Sequence, residues 1–217
     1  MTHLRPHAAV AERVLLPGDP GRALRLAQQL VDAPKMLNHH RGLWGYTGLA
    51  PDGEPLTVQS TGLGGPSTAI VVEELIELGA RRLVRIGTGG AANGALPLGS
   101  LVIAETVHPG DGASRALGAT EPLAADPDLL AALLAEGNGA VVGSVASADL
   151  HYGAPPPPAG AIATDLSTAA LFAVAARRGA RAACVLAIAE AGGRRIDPEG
   201  LESAEAELGR VGAAALA

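Results

Sequence analysis

The stretch LVRIGTGGAANG, residues 83–94, runs from an apolar segment through a single arginine into a cluster of glycines. Its apolar half predicts a buried strand, and its glycines predict an open bend directly after that strand. Arg85 is then expected where the strand ends. Because arginine offers a planar fork of donors and glycines let backbone N–H groups approach closely, this arrangement favours an anion site. The alternative is a surface arginine before an ordinary turn, and the stretch alone does not decide between the two.

Length and composition restrict the class of protein. The 217 residues fit one domain, residues 1–217; 48% are apolar and 29 are glycine, which suits an α/β enzyme. The net charge of −6 and the aromatic content of 2% argue against binding to nucleic acid. The sequence has no signal-peptide core and no long uncharged apolar run, so we expect a cytoplasmic protein without a membrane span. Cys184 is the single cysteine, which excludes an intrachain disulfide, and it is expected in a buried strand.

Apolar runs alternate with amphipathic segments along the chain. Strands are predicted over residues 13–17, 82–87, 99–107, 139–145 and 180–190, and two more within 42–61, joined at Asp52-Gly53. Helices are predicted over 19–31, 66–79, 126–136, 165–179 and 198–216. This alternation predicts an α/β fold, a single-domain three-layer sandwich with a central mixed β-sheet flanked by helices. Ligands bind at the carboxyl ends of strands in such sheets, where we expect the following residues to meet: Gly18, Arg22, Arg85, Thr88 and Glu190.

Four segments, taken in order, resemble one family. They are LLPGDPGRA (15–23), RGLWGYTG (41–48), TGLGGPSTAIVVEELIELGARRLVRIGTGGA (61–91) and SADLHYG (147–153). They are similar to nucleoside phosphorylases of the purine and uridine phosphorylase type. The likeness is dense over residues 13–115, thinner to about 190 and weak in the tail. The combination of PGDP-x-R, G-x-P-S and R-x-G-[ST] in this order is specific.

The resemblance implies a pentosyltransferase that cleaves the N-glycosidic bond of a nucleoside or nucleoside analogue with inorganic phosphate, giving free base and sugar 1-phosphate. Phosphate is the co-substrate, and neither a cofactor nor a metal is implied. A desolvated phosphate calls for arginine donors and backbone N–H groups. The positions that match the family's phosphate site are Gly18, Arg22, Arg85 and Thr88, with Arg41 reaching across a dimer interface. A homo-oligomer built from dimers, commonly joined as hexamers, is implied as well.

The nucleoside half of the site is matched less closely. The resemblance implies that Gly89 and Gly90 lie against the base, and that an N-terminal histidine of a neighbouring subunit contacts the sugar. His3 matches that histidine, with His7 as the second choice. The other positions assigned to the nucleoside are Leu63, His151, Tyr152, Asp165, Leu166 and Ser167. A metal site at His39 and His40 is the weaker interpretation of that pair, since no third ligand has suitable spacing.

Two departures concern the sugar. Leu166 and Ser167 stand where the family carries a Met-Glu pair, whose glutamate holds both ribose hydroxyls. A serine can make a hydrogen bond, but it cannot clamp two hydroxyls as a carboxylate can. Asp165 could take over that role only with a shift of the backbone. The alternative for Asp165 is capping of the following helix, which its position suits.

Further departures concern the base. Glu190 aligns with the aspartate that protonates the purine ring in the family, and Ala191 stands where uridine phosphorylases carry an arginine. Arg194 and Arg195 follow in a Gly-rich segment that could close over the site. His151 falls where an aromatic residue packs against the base, and a histidine there could stack or donate a hydrogen bond. Besides a phosphorylase, the sequence leaves open a non-catalytic nucleoside- or phosphate-binding descendant and, less well, a nucleosidase, which would not need the phosphate arginines.

Overall fold

The computed structural model describes residues 2–217, in which strands and helices alternate. The strands are β1 (Arg13–Pro17), β2 (Asp32–Asn38), β3 (Gly45–Leu49), β4 (Pro55–Gln59), β5 (Arg82–Ala91), β6 (Leu101–Pro109), β7 (Leu123–Ala124), β8 (Val141–Ser147), β9 (Ala161–Asp165), β10 (Arg181–Ala191) and β11 (Arg194–Arg195). The helices are α1 (Pro20–Leu30), α2 (Gly64–Glu77), α3 (Gly112–Ala116), α4 (Pro127–Glu136), α5 (Thr168–Arg178) and α6 (Pro198–Ala214), with a 3₁₀ turn at His40–Gly42.

The strands form one mixed sheet with the order β11-β10-β6-β8-β9-β5-β1-β4-β3-β2, and β7 pairs with β6. β5 also pairs with β10, so the strands β10, β6, β8, β9 and β5 close on themselves. β1 runs parallel to both β4 and β5, and β5 runs parallel to β10, whereas β9 runs antiparallel to β5 and β6 runs antiparallel to β10. The predicted fold class, a mixed sheet flanked by helices, is confirmed.

Helix signals in the sequence place the helix ends well. The side chain of Asp19 accepts a hydrogen bond from the Arg22 amide at the start of α1, with Pro20 as the first helical residue. Gly79 follows the end of α2 with φ +114°, a conformation that costs glycine little. Cys184 is fully buried in β10, as predicted, and burial raises the pKa of its thiol to about 12. None of the helices formed by residues 2–217 combines the length and apolarity needed to cross a bilayer.

The glycines after Arg85 do not form the predicted bend. β5 continues to Ala91, so Arg85 lies inside the strand, where 5% of its surface is exposed. The glycines serve close approach instead: a Cβ on Gly87 would lie 2.8 Å from Nη2 of Arg85, and one on Gly89 would lie 2.6 Å from the Thr164 carbonyl oxygen. The prediction that Arg85 ends the strand is therefore wrong, because glycine here makes room for a side chain and a neighbouring strand rather than for a turn.

Several short elements were not predicted. β2 carries Pro34, which argues against a strand, and the structure places it at the edge of the sheet, where a missing N–H costs little. β9 is short and follows the proline run of residues 155–158, which is irregular and mostly exposed, as expected of a stiff surface segment. β9 matters for function because it ends at Asp165, next to the end of β8.

Candidate active site

An open cleft with a volume of about 1310 Å³ lies where the carboxyl ends of β1, β5, β8, β9 and β10 come together. Most of the predicted site positions line it. They are Gly18, Arg22, Leu63, Arg85, Thr88, Gly89, Gly90, His151, Tyr152, Asp165, Leu166, Ser167 and Glu190. Arg41 and His3 are not among the lining residues. The topology thus brings together residues that are up to about 170 positions apart in the chain.

The buried Arg85 and Asp165 form the floor of the cleft. Nε of Arg85 donates to Oδ2 of Asp165 at 3.1 Å, and the two side chains are 6% and 0% exposed. Nη1 of Arg85 has no hydrogen-bond partner among residues 2–217. A Cβ built on Gly18 would lie 4.0 Å from that nitrogen. The guanidinium is therefore held through Nε, and its Nη1 is left as a hydrogen-bond donor beside the loop that follows β1.

Asp165 is held by more than Arg85. It accepts hydrogen bonds from the hydroxyl of Ser147 at 2.5 Å and from the hydroxyl and amide of Thr168 at 2.7 and 3.0 Å. The bond to the Thr168 amide is the helix-capping contact that the sequence offered as one alternative for Asp165. The Asp165 carboxylate has no exposed surface and accepts all of these hydrogen bonds. It therefore faces Arg85 and α5 rather than the open part of the cleft. Ser147 and Thr168 carried no signal in the sequence.

Arg22 lies behind the floor in a second buried ion pair. Its Nη2 is 2.6 Å from Oε1 of Glu205, whose other oxygen contacts Arg25, and the side chains of Arg22 and Glu205 are 8% and 7% exposed. Nε of Arg22 lacks a partner among the described residues. Glu205 was missed, although a signal existed. It lies on the apolar face of α6 with Ala204 and Leu208, where a carboxylate requires a cationic partner.

Ser167 is the residue that the sequence resemblance aligns with the family's ribose-binding glutamate. It precedes α5, is 2% exposed and makes no side-chain capping bond, while Leu166 lies beside it in the cleft wall. The side chain at this position is thus a buried hydroxyl rather than a carboxylate.

The rim group, consisting of His151, Tyr152, Glu190 and Arg195, lies at the opposite, open side of the cleft. Oε1 of Glu190 is 2.9 Å from Nε of Arg195 and 3.6 Å from Nε2 of His151. The rings of His151 and Tyr152 meet edge to face, with centroids 4.5 Å apart. Glu190 follows a shift in the β10–β5 register, a bulge of the kind that re-aims side chains beside active sites.

His3 and Arg41 lie together on a surface outside the cleft. Glu74 accepts hydrogen bonds from the amides of residues 2–4 and from Nδ1 of His3 at 2.9 Å, which fixes the N-terminal segment to α2. Burial raises the pKa of Glu74, but these hydrogen bonds outweigh burial and lower it to about 2. The ring of His40 contacts the carbonyl oxygen of His3 at 3.0 Å, and Arg41 beside it is exposed with φ +61°. His39 stacks on His7, with ring centroids 5.4 Å apart.

With this geometry in view, the likeness to known proteins is extensive. Residues 12–217 match the profile of the Phosphorylase superfamily. The chain belongs to this superfamily. The resemblance seen in the sequence motifs is thus confirmed.

Members of the superfamily with curated names include the DeoD-type purine nucleoside phosphorylase of Geobacillus kaustophilus, which is 35% identical over 193 residues, or 83% of this chain and 81% of that protein. The uridine phosphorylase of Haemophilus influenzae is 40% identical over 147 residues, covering 65% and 58%. Among solved structures, the uridine phosphorylase of Vibrio fischeri complexed with 6-hydroxy-1-naphthoic acid has a TM-score of 0.86 at 27% identity and covers 95% of this chain and 91% of its own. Purine and uridine enzymes both resemble this superfamily member, so likeness alone does not select the base.

Proposed function

We propose that the chain is a nucleoside phosphorylase that transfers a pentosyl group from a nucleoside to inorganic phosphate. In this reaction the C1′–N bond of the nucleoside breaks, a phosphate oxygen bonds to C1′, and the base leaves as the free, protonated heterocycle. Membership of the superfamily supports the reaction class. The observation that carries the proposal is that Nη1 of the buried Arg85, at the floor of the cleft, has no hydrogen-bond partner within residues 2–217.

The floor has the properties that phosphate requires. The Arg85 guanidinium is 6% exposed and paired with Asp165, so most of its desolvation free energy is already spent in folding. Binding a second anion therefore adds little to that cost. Its fixed edge leaves Nη1 for a charge-assisted bond to a phosphate oxygen. We assign the phosphate to Arg85, the main chain of Gly18, the hydroxyl of Thr88, and Arg22, which would share its charge between phosphate and Glu205.

The rest of the cleft accommodates the nucleoside. The base would lie against Gly89 and Gly90, with Leu63, Tyr152 and the rim group around it, and the sugar would lie over Leu166 and Ser167. In this arrangement the rim group, which includes Glu190, would lie beside the departing base, and Arg85 would hold the attacking phosphate. Phosphate is a co-substrate in this scheme, and the reaction calls for no cofactor.

We also propose that the active unit is a homo-oligomer built from dimers. Arg41 and His3 lie outside their own cleft, and His40 brings them together on one surface. The same region exposes Trp44 by 37% and Leu63 by 84%. Apolar side chains of this size beside an unpaired arginine are typical of a surface that another subunit covers. From there Arg41 and His3 would reach the phosphate and sugar of the neighbouring cleft.

The experiment that tests the proposal measures base release from a panel of purine and pyrimidine nucleosides with phosphate, with arsenate and with neither anion. Phosphate-dependent release that Arg85→Ala abolishes supports the proposal. Arg115→Ala is the matched control, since Arg115 also lines the cleft but is exposed and bonded to the Pro109 carbonyl oxygen. Release without either anion would instead identify a nucleosidase. Binding of phosphate or nucleoside without release would identify a non-catalytic binding protein.

A further inference from the structure

The rim group is a cluster of charged and titratable side chains that has no part in the proposed phosphate site. Glu190 forms two ion pairs, with Arg195 at 2.9 Å and with His151 at 3.6 Å. In both contacts a Glu190 carboxylate oxygen faces a nitrogen donor, so this side chain is engaged as an acceptor. An imidazole can donate a proton through either ring nitrogen, and His151 lines the cleft beside Glu190.

Resting on the proposed phosphorolysis, we propose that His151 is the catalytic acid that protonates a purine leaving base, with Glu190 as its positioning residue. In the substrate complex Glu190 would accept the Nε2–H of His151, which would leave the proton on Nδ1 for transfer. As the C1′–N9 bond breaks, its electron pair enters the purine ring, N7 takes the proton from Nδ1, and a phosphate oxygen bonds to C1′. His151 is then neutral, and since 43% of its side chain is exposed it regains a proton from water.

The distance between His151 and Glu190 fits a pair whose hydrogen bond forms only when substrate is bound. At 3.6 Å, Nε2 and Oε1 form an ion pair but not a hydrogen bond. Contacts of this kind in catalytic sites often shorten when the substrate is bound. Tyr152 meets the His151 ring edge to face at 4.5 Å and limits its rotation.

A purine is the leaving base that suits this donor. Its N7 is a basic ring nitrogen conjugated with N9, so one proton at N7 directly neutralises the charge that develops during cleavage. Uracil offers carbonyl oxygens and an N–H, which call for a matched set of donors and acceptors rather than for a single acid. The rim group presents a single imidazole beside one carboxylate and one guanidinium, which fits the purine better.

Several charged and titratable groups surround the imidazole of His151, and they bear on the pH dependence of kcat/KM. The charged and titratable groups that surround it are Glu190 at the end of β10, Arg195 on β11 and Tyr152 next to it in the chain. Asp149 lies two residues earlier, and its Oδ2 accepts the Gly112 amide at 2.8 Å. Loss of Glu190 removes the carboxylate that orients the imidazole, so Glu190→Gln should lower kcat/KM for inosine and keep the alkaline limb of the profile.

The test compares inosine with 7-methylinosine in the full-length wild-type enzyme and in His151→Gln, Glu190→Gln and the control His108→Gln. The methyl group gives N7 a permanent positive charge, so 7-methylinosine needs no acid. We expect His151→Gln to lower kcat/KM for inosine by about 10²-fold or more, the usual contribution of a general acid, and to lose the alkaline limb. With 7-methylinosine the variant should match the wild type. His108 lines the cleft elsewhere, and its variant should behave like the wild type with both substrates.

Each failure has its own signature. Equal losses of His151→Gln on both substrates would show that the residue only shapes the pocket, and would overturn the inference. An alkaline limb that survives in His151→Gln but disappears in Glu190→Gln would assign the acid to Glu190 and overturn it too. Cleavage of uridine but not of inosine would overturn the inference while leaving the proposed phosphorolysis intact. Absence of phosphate-dependent cleavage of every nucleoside by the wild type would refute the proposed function itself.

Discussion

Replacing Asp165 with asparagine tests the floor of the cleft most directly. Asp165→Asn keeps the shape of the side chain and removes its charge, which leaves the Arg85 guanidinium buried without a counter-ion. Removing one partner of a buried ion pair costs about 3–5 kcal/mol. For a chain of this length each kcal/mol lowers Tm by about 2–4 °C, so we expect Tm to fall by about 6–20 °C. Differential scanning calorimetry in a phosphate-free buffer measures this loss.

Phosphate gives the same variant a second readout. Phosphate would supply the negative charge that Arg85 has lost, so adding it should raise Tm more in Asp165→Asn than in the wild type. Asp149→Asn is the matched control, because Asp149 is exposed in the same cleft and accepts only an amide bond in the structure. A Tm unchanged by Asp165→Asn, or lowered as little as in the control, would refute the idea that Asp165 neutralises Arg85. A phosphate shift smaller than that of the wild type would refute the placement of phosphate at Arg85.

Three further predictions concern other parts of the chain. Ser167 stands where the resemblance expects a carboxylate, whose charged hydrogen bonds to ribose would contribute about 1.5–3 kcal/mol. We therefore expect poor discrimination between inosine and deoxyinosine, and Ser167→Glu should raise kcat/KM for inosine selectively. Strong ribose preference in the wild type would contradict this. The pKa of Glu74 is lowered to about 2 from 4.5, so its contribution to stability is complete above 4.5 and is lost as the pH falls through about 2. Glu74→Gln should therefore destabilise the fold by about 2–3 kcal/mol at pH 7 in urea titrations, with a gap that narrows in acid, whereas Glu77→Gln on the exposed side of α2 should not. Sedimentation at micromolar concentration should show dimers or larger assemblies; a monomer alone would contradict the shared site.

The sequence predicted the framework of the fold because its signals are local. Asp19 and Pro20 begin α1 as expected, and the apolar run that contains Cys184 is the buried strand β10. The glycines after Arg85 were misinterpreted, because a glycine required by a side chain from the same strand looks the same in the sequence as a glycine required by a turn. Only the folded structure shows that Nη2 of Arg85 occupies the space above Gly87.

The candidate site was predictable in its positions but not in its pairings. The motifs named Arg85, Asp165 and Glu190, yet nothing in the sequence indicates that Asp165 neutralises Arg85 or that Arg195 meets Glu190. Such contacts depend on the closure of β5 against both β10 and β9, and strand order is not encoded in any single motif. Glu205 is the exception, since a carboxylate on an apolar helix face predicts a buried cation even before its partner Arg22 is known.

The floor and the rim of the cleft differ in burial, and this difference determines which residues can be substituted during evolution. Exchange of Arg85 or Asp165, with side chains 6% and 0% exposed, would endanger folding as well as activity. His151 and Glu190 are 43% and 37% exposed, so their exchange costs little stability. The rim can therefore change by mutation while the requirements of folding preserve the buried pair of Arg85 and Asp165. If the proposed assignment is correct, substrate preference can change at the rim while phosphate binding is retained, and we expect laboratory evolution directed at residues 150–158 to be tolerated by the fold.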